Sequence, residues 1–126
     1  MKNTTTFYLY ETKTSNKLLA KGIYEGYETN SPSNNTMVVL EGSHMKKRNT
    51  LSKSHCISKR RKVESESVID KEDYYLITED ISFSSPSIAA AVILGRECNG
   101  KELWVTEDRV ELKHIIPSAR KVSKKV

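Results

Sequence analysis

Hydrophobic positions in the N-terminal third of the chain fall in short runs separated by polar connections, a pattern typical of β-strands. Three of these runs are rich in β-forming residues: Phe7–Tyr10, Leu18–Tyr24 and Met37–Leu40. The segment from Tyr27 to Thr36 consists of turn-forming residues without an apolar period, which predicts a long, mobile surface loop. The three runs therefore predict an antiparallel meander.

The middle of the chain changes to a helical pattern. From about Ser54 to Ile69 the apolar residues have a loosely helical spacing, and the segment contains neither proline nor glycine. We predict a helix here, with a basic outer face. Tyr74–Thr78 then returns to the composition of a strand.

The clearest local signal lies between Phe83 and Gly95. Ser85 can accept a hydrogen bond from the first-turn amides of a helix, and Pro86 suits the first helical position, where its missing N–H costs nothing. Gly95 can adopt the left-handed conformation that ends a helix. The residues between them predict a short, almost wholly apolar helix packed against the sheet.

The C-terminal part predicts further strands. Asn99-Gly100 indicates a type I′ hairpin or a tight loop, 101–106 has strand composition, and 107–109 turns the chain toward Val110–Leu112. The predicted fold class is α+β, with an antiparallel sheet of about five or six strands, a Ser-Pro-capped helix on one face and a second, basic helix. We expect one domain over residues 1–112, followed by a basic, mobile tail over residues 113–126.

Composition limits the class of protein. A chain of 126 residues with 37% hydrophobic and 29% charged residues fits a single core. No segment approaches the ~20 consecutive apolar residues of a membrane span, and the N-terminus lacks an apolar signal region. Two cysteines are too few for a disulfide framework. These observations favour a cytoplasmic protein without membrane association.

The net charge of +5 is unevenly distributed. No acid occurs between Glu41 and Glu64, and none follows Glu111, so two segments are basic and the remainder is net acidic. Such blocks are typical of phosphate-backbone contact, and a solvated loop with a mobile tail is the alternative. The central block contains eight cations: Lys46, Lys47, Arg48, Lys53, Lys59, Arg60, Arg61 and Lys62.

Motifs in a fixed order resemble a known family, named for its domain of unknown function 4357. The matching residues cover about 18 to 112: Ala20 and Gly22, Val38 to Ser43, Phe83 to Ala90, Gly95-Arg96, Asn99-Gly100, and Trp104. The resemblance implies a domain that is often appended to GIY-YIG nucleases and restriction-type proteins, with DNA contact as its expected role. One departure concerns the turn after the tryptophan strand, where the family has Asp-Gly and this chain has Asp108-Arg109.

Several patterns suggest chemistry that the sequence does not complete. Gly22-Ile23-Tyr24 matches half of a nuclease signature, but no Tyr-Ile-Gly follows, so we interpret it as the second strand of the family pattern. His55-Cys56 is the only close pair of metal-ligand types besides acids, and adjacent residues point in different directions. The paired carboxylates along the chain fit solvated element ends better than a Mg²⁺ site. We therefore expect no catalytic residue, no metal and no cofactor.

The most specific functional hypothesis is a non-catalytic DNA-binding accessory domain in a restriction or phage-defence context. The eight cations of the central block would contact phosphates, while Arg96, Asn99 and Lys101 flank a loop that could reach base edges. Arg96 could instead complement the helix dipole, and Asn99 could simply form the turn. For Trp104, burial is favoured over base stacking.

A protein-binding module is the alternative function. It would act as a subunit or inhibitor of a nuclease or defence complex, through a sheet edge or the acidic remainder of the chain. A nuclease acting alone has the weakest support from the sequence. Oligomeric state is not determined by any pattern in the sequence.

Overall fold

The computed structural model of the chain describes residues 6–25 and 36–115. Residues 26–35 of the expected loop and residues 116–126 of the expected tail lie outside the described residues. Residues 113–115, expected as the start of the tail, instead continue a 3-10 turn, and Ile115 packs against the core. In chain order the elements are β1 (Thr6–Tyr10), β2 (Leu18–Glu25), β3 (Thr36–Val39), β4 (His44–Lys46), α1 (Ser54–Glu66), β5 (Val68–Asp70), β6 (Tyr74–Ile77), β7 (Ile81–Phe83), α2 (Pro86–Leu94), α3 (Gly100–Leu103), β8 (Trp104–Val105) and a 3-10 turn at Leu112–His114.

The predicted α+β fold is confirmed. Five antiparallel strands form the larger sheet in the order β7-β3-β2-β1-β8. The alternation of the sequence explains its inner face, because Phe7 and Leu9 on β1 and Met37 and Val39 on β3 are buried while their neighbours are half-exposed. All three strands predicted for the N-terminal third are therefore confirmed.

Helix α2 forms as its end signals predict. The Ser85 hydroxyl accepts a hydrogen bond from the amide of Ile88 at 3.1 Å, and Pro86 occupies the first helical position. Gly95 ends the helix with a φ of 74°, and its amide donates to the carbonyl of Ala91 at 2.7 Å. Residues 89–94 are all buried, so this helix fills the core between the two sheets rather than lying on the surface.

A second sheet was not predicted from the sequence. Strand β6 is the centre of three antiparallel strands in the order β4-β6-β5, so the strand predicted at Tyr74–Thr78 exists but belongs to this smaller sheet. The helix predicted to reach Ile69 ends at Glu66 instead. The boundary moves because Val68 and Ile69 pair with Ile77 and Leu76 as strand residues, which suits their β-branched side chains.

The hairpin interpretation of Asn99-Gly100 is wrong. The Asn99 side chain accepts from the amide of Lys101 at 3.1 Å and caps the short helix α3, so the strand expected over 101–106 shrinks to Trp104–Val105. A Cβ on Gly100 would lie 2.3 Å from the Pro86 carbonyl, so only glycine allows the backbone of α3 to approach the start of α2 this closely.

The turn after β8 is tight although Arg109 stands where the resemblance leads us to expect glycine. The amide of Arg109 donates to the carbonyl of Thr106 at 2.9 Å, and Arg109 itself takes the left-handed φ of 68°. Its guanidinium lies 3.7 Å from the centre of the Tyr10 ring and donates to the carbonyl of Ser15 at 2.8 Å. These contacts offset the strain that glycine would avoid.

Within residues 6–25 and 36–115, no helix has the length and apolar composition that crossing a bilayer requires.

Candidate nucleic-acid interface

Helix α1 carries half of the central basic block, and its periodicity divides those cations between core and solvent. Cys56, Arg60 and Val63 are buried at a spacing of four and three residues, which defines the inner face. Arg61 and Lys62 are exposed on the opposite side. The predicted basic outer face therefore exists, with fewer cations than the sequence suggests.

Arg60 is the main correction to the predicted site. Its side chain is 0% exposed, with Nη1 donating to the carbonyl of Val92 at 2.8 Å and Nη2 to the carbonyl of Lys46 at 2.7 Å. Its Nε forms an ion pair with Glu64 at 2.6 Å. The expectation that Arg60 contacts phosphate is wrong, because its charge is neutralised and its donors are used inside the protein.

The two lysines that open the basic block face acids. Lys46 lies 3.0 Å from the Glu11 carboxylate, and this hydrogen bond lowers the pKa of Glu11. Lys47 forms an ion pair with Asp70, and the Lys47 ammonium lies 5.3 Å from the centre of the Tyr75 ring. Both lysines are thus less available to phosphate than their position in the sequence implies.

Two further lysines on α1 also have partners. Lys62 lies 3.4 Å from Glu66, one helical turn further along, and is otherwise exposed. Lys59 lies 5.2 Å from the centre of the Phe83 ring and is half-buried. Both could still turn toward an approaching phosphate, since surface pairs of this kind contribute little stability.

The remaining cations among the predicted residues form no ion pair with any described residue. We call them the unpaired cations. All are exposed except Lys101, which is half-exposed. They are Arg48, Lys53, Arg61, Arg96 and Lys101.

Three of the unpaired cations are brought together at the end of α2, although the sequence separates Arg48 from Arg96. The amide of Thr50 donates to the carbonyl of Gly95 at 2.7 Å, so the segment after β4 lies against the helix end. A Cβ on Gly95 would lie 1.8 Å from the Arg48 carbonyl, which leaves room only for glycine. Arg48, Lys53 and Arg96 therefore belong to segments in direct contact.

An acid, Glu97, lies among these cations and has a structural role. Its carboxylate accepts from the amides of Ser52 and Lys53 at 2.9 and 3.0 Å. These two bonds lower the pKa of Glu97, because they stabilise the charged form. The carboxylate thereby fixes the two residues that precede α1 and links them to the end of α2.

The predicted base-contacting residues differ in the hydrogen bonds and the exposure of their side chains. The Oδ1 of Asn99 is used in capping α3, as the alternative interpretation of a turn residue expects. Arg96 follows Gly95 with an exposed side chain. Trp104 is completely buried, and its Nε1 donates to the carbonyl of Pro86 at 3.0 Å, so burial rather than base stacking is its role.

The other candidate chemistry concerns thiols and metal ligands. Burial raises the pKa of Cys98 to about 11, and burial is also the main cause of the raised pKa of Cys56. Neither thiol therefore has the character of an activated nucleophile. Over the part of the chain that the structure describes, no three His, Cys, Asp or Glu residues lie close enough together to hold a metal ion.

Sequence reasoning missed the inward position of Arg60, although a signal was present. Arg60 lies four residues after Cys56 and three before Val63, which is the spacing of one helix face. A helical projection of this segment would have placed Arg60 with the apolar residues. The linking role of Glu97 had no comparable signal, because its partners are 44 and 45 residues away in the sequence.

Comparison with known proteins identifies a family. A family model described as Domain of unknown function (DUF4357) matches residues 16–116. No curated protein and no solved structure matches the chain.

Proposed function

We propose that this chain, which belongs to the DUF4357 family, is a non-catalytic DNA-binding accessory domain that contacts the phosphate backbone through its unpaired cations. The observation that carries the proposal is the contact between the segments of Arg48, Lys53 and Arg96 at the end of α2. None of the three side chains forms an ion pair with a described residue, and the nearby Glu97 carboxylate is bound by backbone amides. The restriction or phage-defence context of the proposal rests on the family resemblance alone.

The distribution of these cations suits an extended polyanion better than a single small anion. Lys53 and Arg61 lie at the start and on the exposed side of α1, about 12 Å apart along its axis. A row of phosphates can contact several such cations at once, and each contact releases condensed counterions. Affinity would then come mainly from charge and depend steeply on salt.

If the domain recognises a DNA sequence, Arg96 is the residue that contacts the bases in this proposal. An exposed arginine can form two hydrogen bonds to guanine in the major groove. Asn99 would have to release its bond to the amide of Lys101 before its amide group could contact adenine in the same manner. The helix cap at α3 therefore argues against Asn99.

The test is fluorescence anisotropy with a labelled duplex, unmodified and methylated, at about 50 and 200 mM salt. The decisive variant is Arg48→Gln/Arg61→Gln/Arg96→Gln, which removes exposed charges without touching the core. We expect its affinity at the lower salt to fall at least tenfold. The slope of log K against log salt should become shallower by about 0.9 for each phosphate that the variant no longer neutralises.

A matched variant separates local contact from net charge. Lys17→Gln/Lys21→Gln/Lys71→Gln removes the same number of exposed charges from other parts of the surface. Lys21 and Lys71 form no ion pair with a described residue, and Lys17 has only a 3.9 Å contact with Glu11. We expect this control to bind within threefold of the unmodified chain. Equal losses in the two variants, or no binding at the lower salt, would contradict the proposal.

A further inference from the structure

The smaller sheet ends in an open edge at β5. Within the described residues β5 pairs only with β6 and contacts α1, the helix that precedes it, whereas β4 on the other side of the sheet is packed against β2 and α2. An edge strand carries a row of N–H and C=O groups that can pair with another chain. The edge of β5 is therefore the natural place to extend this sheet.

The hydrogen bonds that flank β5 fix which backbone groups face outward. The amide of Thr78 donates to the carbonyl of Ser67, and the amide of Lys71 donates to the carbonyl of Tyr74, both at 2.9 Å. Because bonded pairs alternate in an antiparallel ladder, residues 67, 69 and 71 bond toward β6. The N–H and C=O groups of Val68 and Asp70 consequently point to the open edge.

The side chain between those groups is unusually exposed. Ile69 is 50% exposed, against 37% for Leu18 and 39% for Val110, the other exposed large hydrophobic residues of the described chain. It lies in a cross-strand row with Leu76 and His44 on the outer face of the smaller sheet. An added strand would lengthen this row and cover Ile69.

Apart from its length of three residues, the β5 edge lacks the usual protection against strand addition. Residues 68–70 contain no proline, glycine or lysine, and the strand shows no bulge against β6. The Asp70 carboxylate is paired with Lys47 on the inner face of the sheet, although the Asp70 side chain is 70% exposed. The backbone thus remains suited to pairing.

Charge around the edge indicates the chemistry of the missing strand. Residues 64–73 contain five acids and one lysine, and three of the acids, Glu64, Glu66 and Asp70, already have cationic partners in this chain. The exposed side chains of Glu72 and Asp73, at the end of β5, have no cationic partner among the described residues. Self-pairing centred on Ile69 would bring Glu72 and Asp73 of one copy toward Glu66 at the end of α1 of the other, and the approach of like charges is unfavourable. A basic strand from another protein would be complementary in charge to the acids at the end of β5.

We propose that the β5 edge receives an extended, basic segment of a protein partner as a fourth strand of the smaller sheet. The partner segment alternates apolar residues, one of which covers Ile69, with lysine or arginine near the acids at the end of β5. Main-chain bonds to Val68 and Asp70 provide affinity that is independent of the partner's side chains. This interaction is separate from the unpaired cations and does not depend on DNA binding.

The test uses a labelled nine-residue peptide in which valine and lysine alternate, compared with its valine–glutamate counterpart. We expect saturable binding of the lysine peptide and at least tenfold weaker binding of the glutamate peptide. Hydrogen exchange, read by NMR on the unmodified chain, should slow at the amides of Val68 and Asp70 when the lysine peptide is bound. This second measurement requires no substitution.

Ile69→Lys should weaken binding of the lysine peptide at least tenfold, while Val110→Lys adds the same charge at another exposed apolar position and should leave it within twofold. Both variants should retain the DNA affinity of the unmodified chain. The proposal is overturned if the lysine peptide does not bind at 1 mM, if the Val68 and Asp70 amides gain no protection, or if both variants lose binding equally. A dimer that Ile69→Lys dissociates would also overturn it, since the occupant would then be a second copy.

Discussion

Arg60 and Arg61 are adjacent in the sequence and have opposite environments. Arg60 is completely buried and hydrogen-bonded to backbone carbonyls of β4 and α2, whereas Arg61 is exposed. One residue of helical rotation, about 100°, separates a buried structural cation from an exposed one. A substitution that removes both cannot report on DNA contact, because loss of the fold would imitate loss of binding.

We expect Arg60→Met to lower the free energy of unfolding by about 3 kcal/mol, because it leaves several carbonyls and the Glu64 carboxylate without their buried partner. Arg61→Met, the neighbouring control, should change it by less than about 0.5 kcal/mol. Urea denaturation followed by circular dichroism measures both. Similar stabilities for the two variants would contradict the structural role of Arg60.

Single residues also show what the sequence could predict. Ser85 and Gly95 have the roles that their types suggest, because capping depends on neighbours within a few positions. Trp104 is buried, in agreement with the favoured interpretation. The pairing of Lys47 with Asp70 could not be predicted, because it depends on which strands meet in a sheet that local patterns did not reveal.

At the scale of elements, α1 and α2 are held together by one carboxylate as well as by packing. Glu97 follows α2 and accepts hydrogen bonds from the amides of Ser52 and Lys53, the two residues that precede α1. Ionised Glu97 is therefore part of the fold, and protonation weakens the bonds that it accepts.

This role predicts a specific pH dependence. The pKa of Glu97 is lowered in the folded state by the amides of Ser52 and Lys53, so its contribution is present above the unfolded value near 4.5 and is lost as the pH falls through the folded pKa. Glu97→Gln should therefore be less stable than the unmodified chain at pH 7, and the difference should shrink as the pH falls below about 4.5. Thermal unfolding at a series of pH values measures this difference. A stability difference that stays constant down to pH 3 would contradict this prediction. Glu107→Gln, an exposed control, should differ little in stability from the unmodified chain at any pH.

The elements that sequence reasoning missed are mostly short. Strands β4, β5 and β7 have three residues each, too few for a period of two to be recognised. Helix α3 has four residues and depends on the contact between Gly100 and Pro86. By contrast, β1, β2 and α2 have five, eight and nine residues, which is long enough for their hydrophobic patterns and end signals to be recognised in the sequence.

At the scale of the whole molecule, both sheets share one core. Phe7 and Trp104 from the larger sheet, Met45 and Ile77 from the smaller sheet and Val63 from α1 belong to a single buried cluster. Because the two sheets share this cluster, unfolding one of them alone would expose the apolar surface of the other to water. Separate unfolding of the two sheets is therefore unfavourable.

We therefore expect one cooperative unfolding transition. Trp104, the only tryptophan, is buried in this cluster, so its fluorescence should shift to longer wavelength on unfolding. The midpoint in urea should coincide with that of the far-ultraviolet circular dichroism signal, which reports on both sheets and the helices. Separate midpoints would show that the smaller sheet melts independently, and would contradict the shared core.

Strands β3 and β7 are neighbours in the larger sheet, yet the whole of residues 40–80 lies between them in the chain. The amide of Glu41 donates to the Asp80 carboxylate at 2.8 Å, which holds the two ends of this segment together. Pairing of β3 with β7 must therefore close a long loop, and the entropy of that closure opposes it until the segment itself is ordered. We expect β1 and β2 to pair early, and the rate of folding to be set by the step in which α1 and the smaller sheet dock and bring β7 to the edge of the larger sheet.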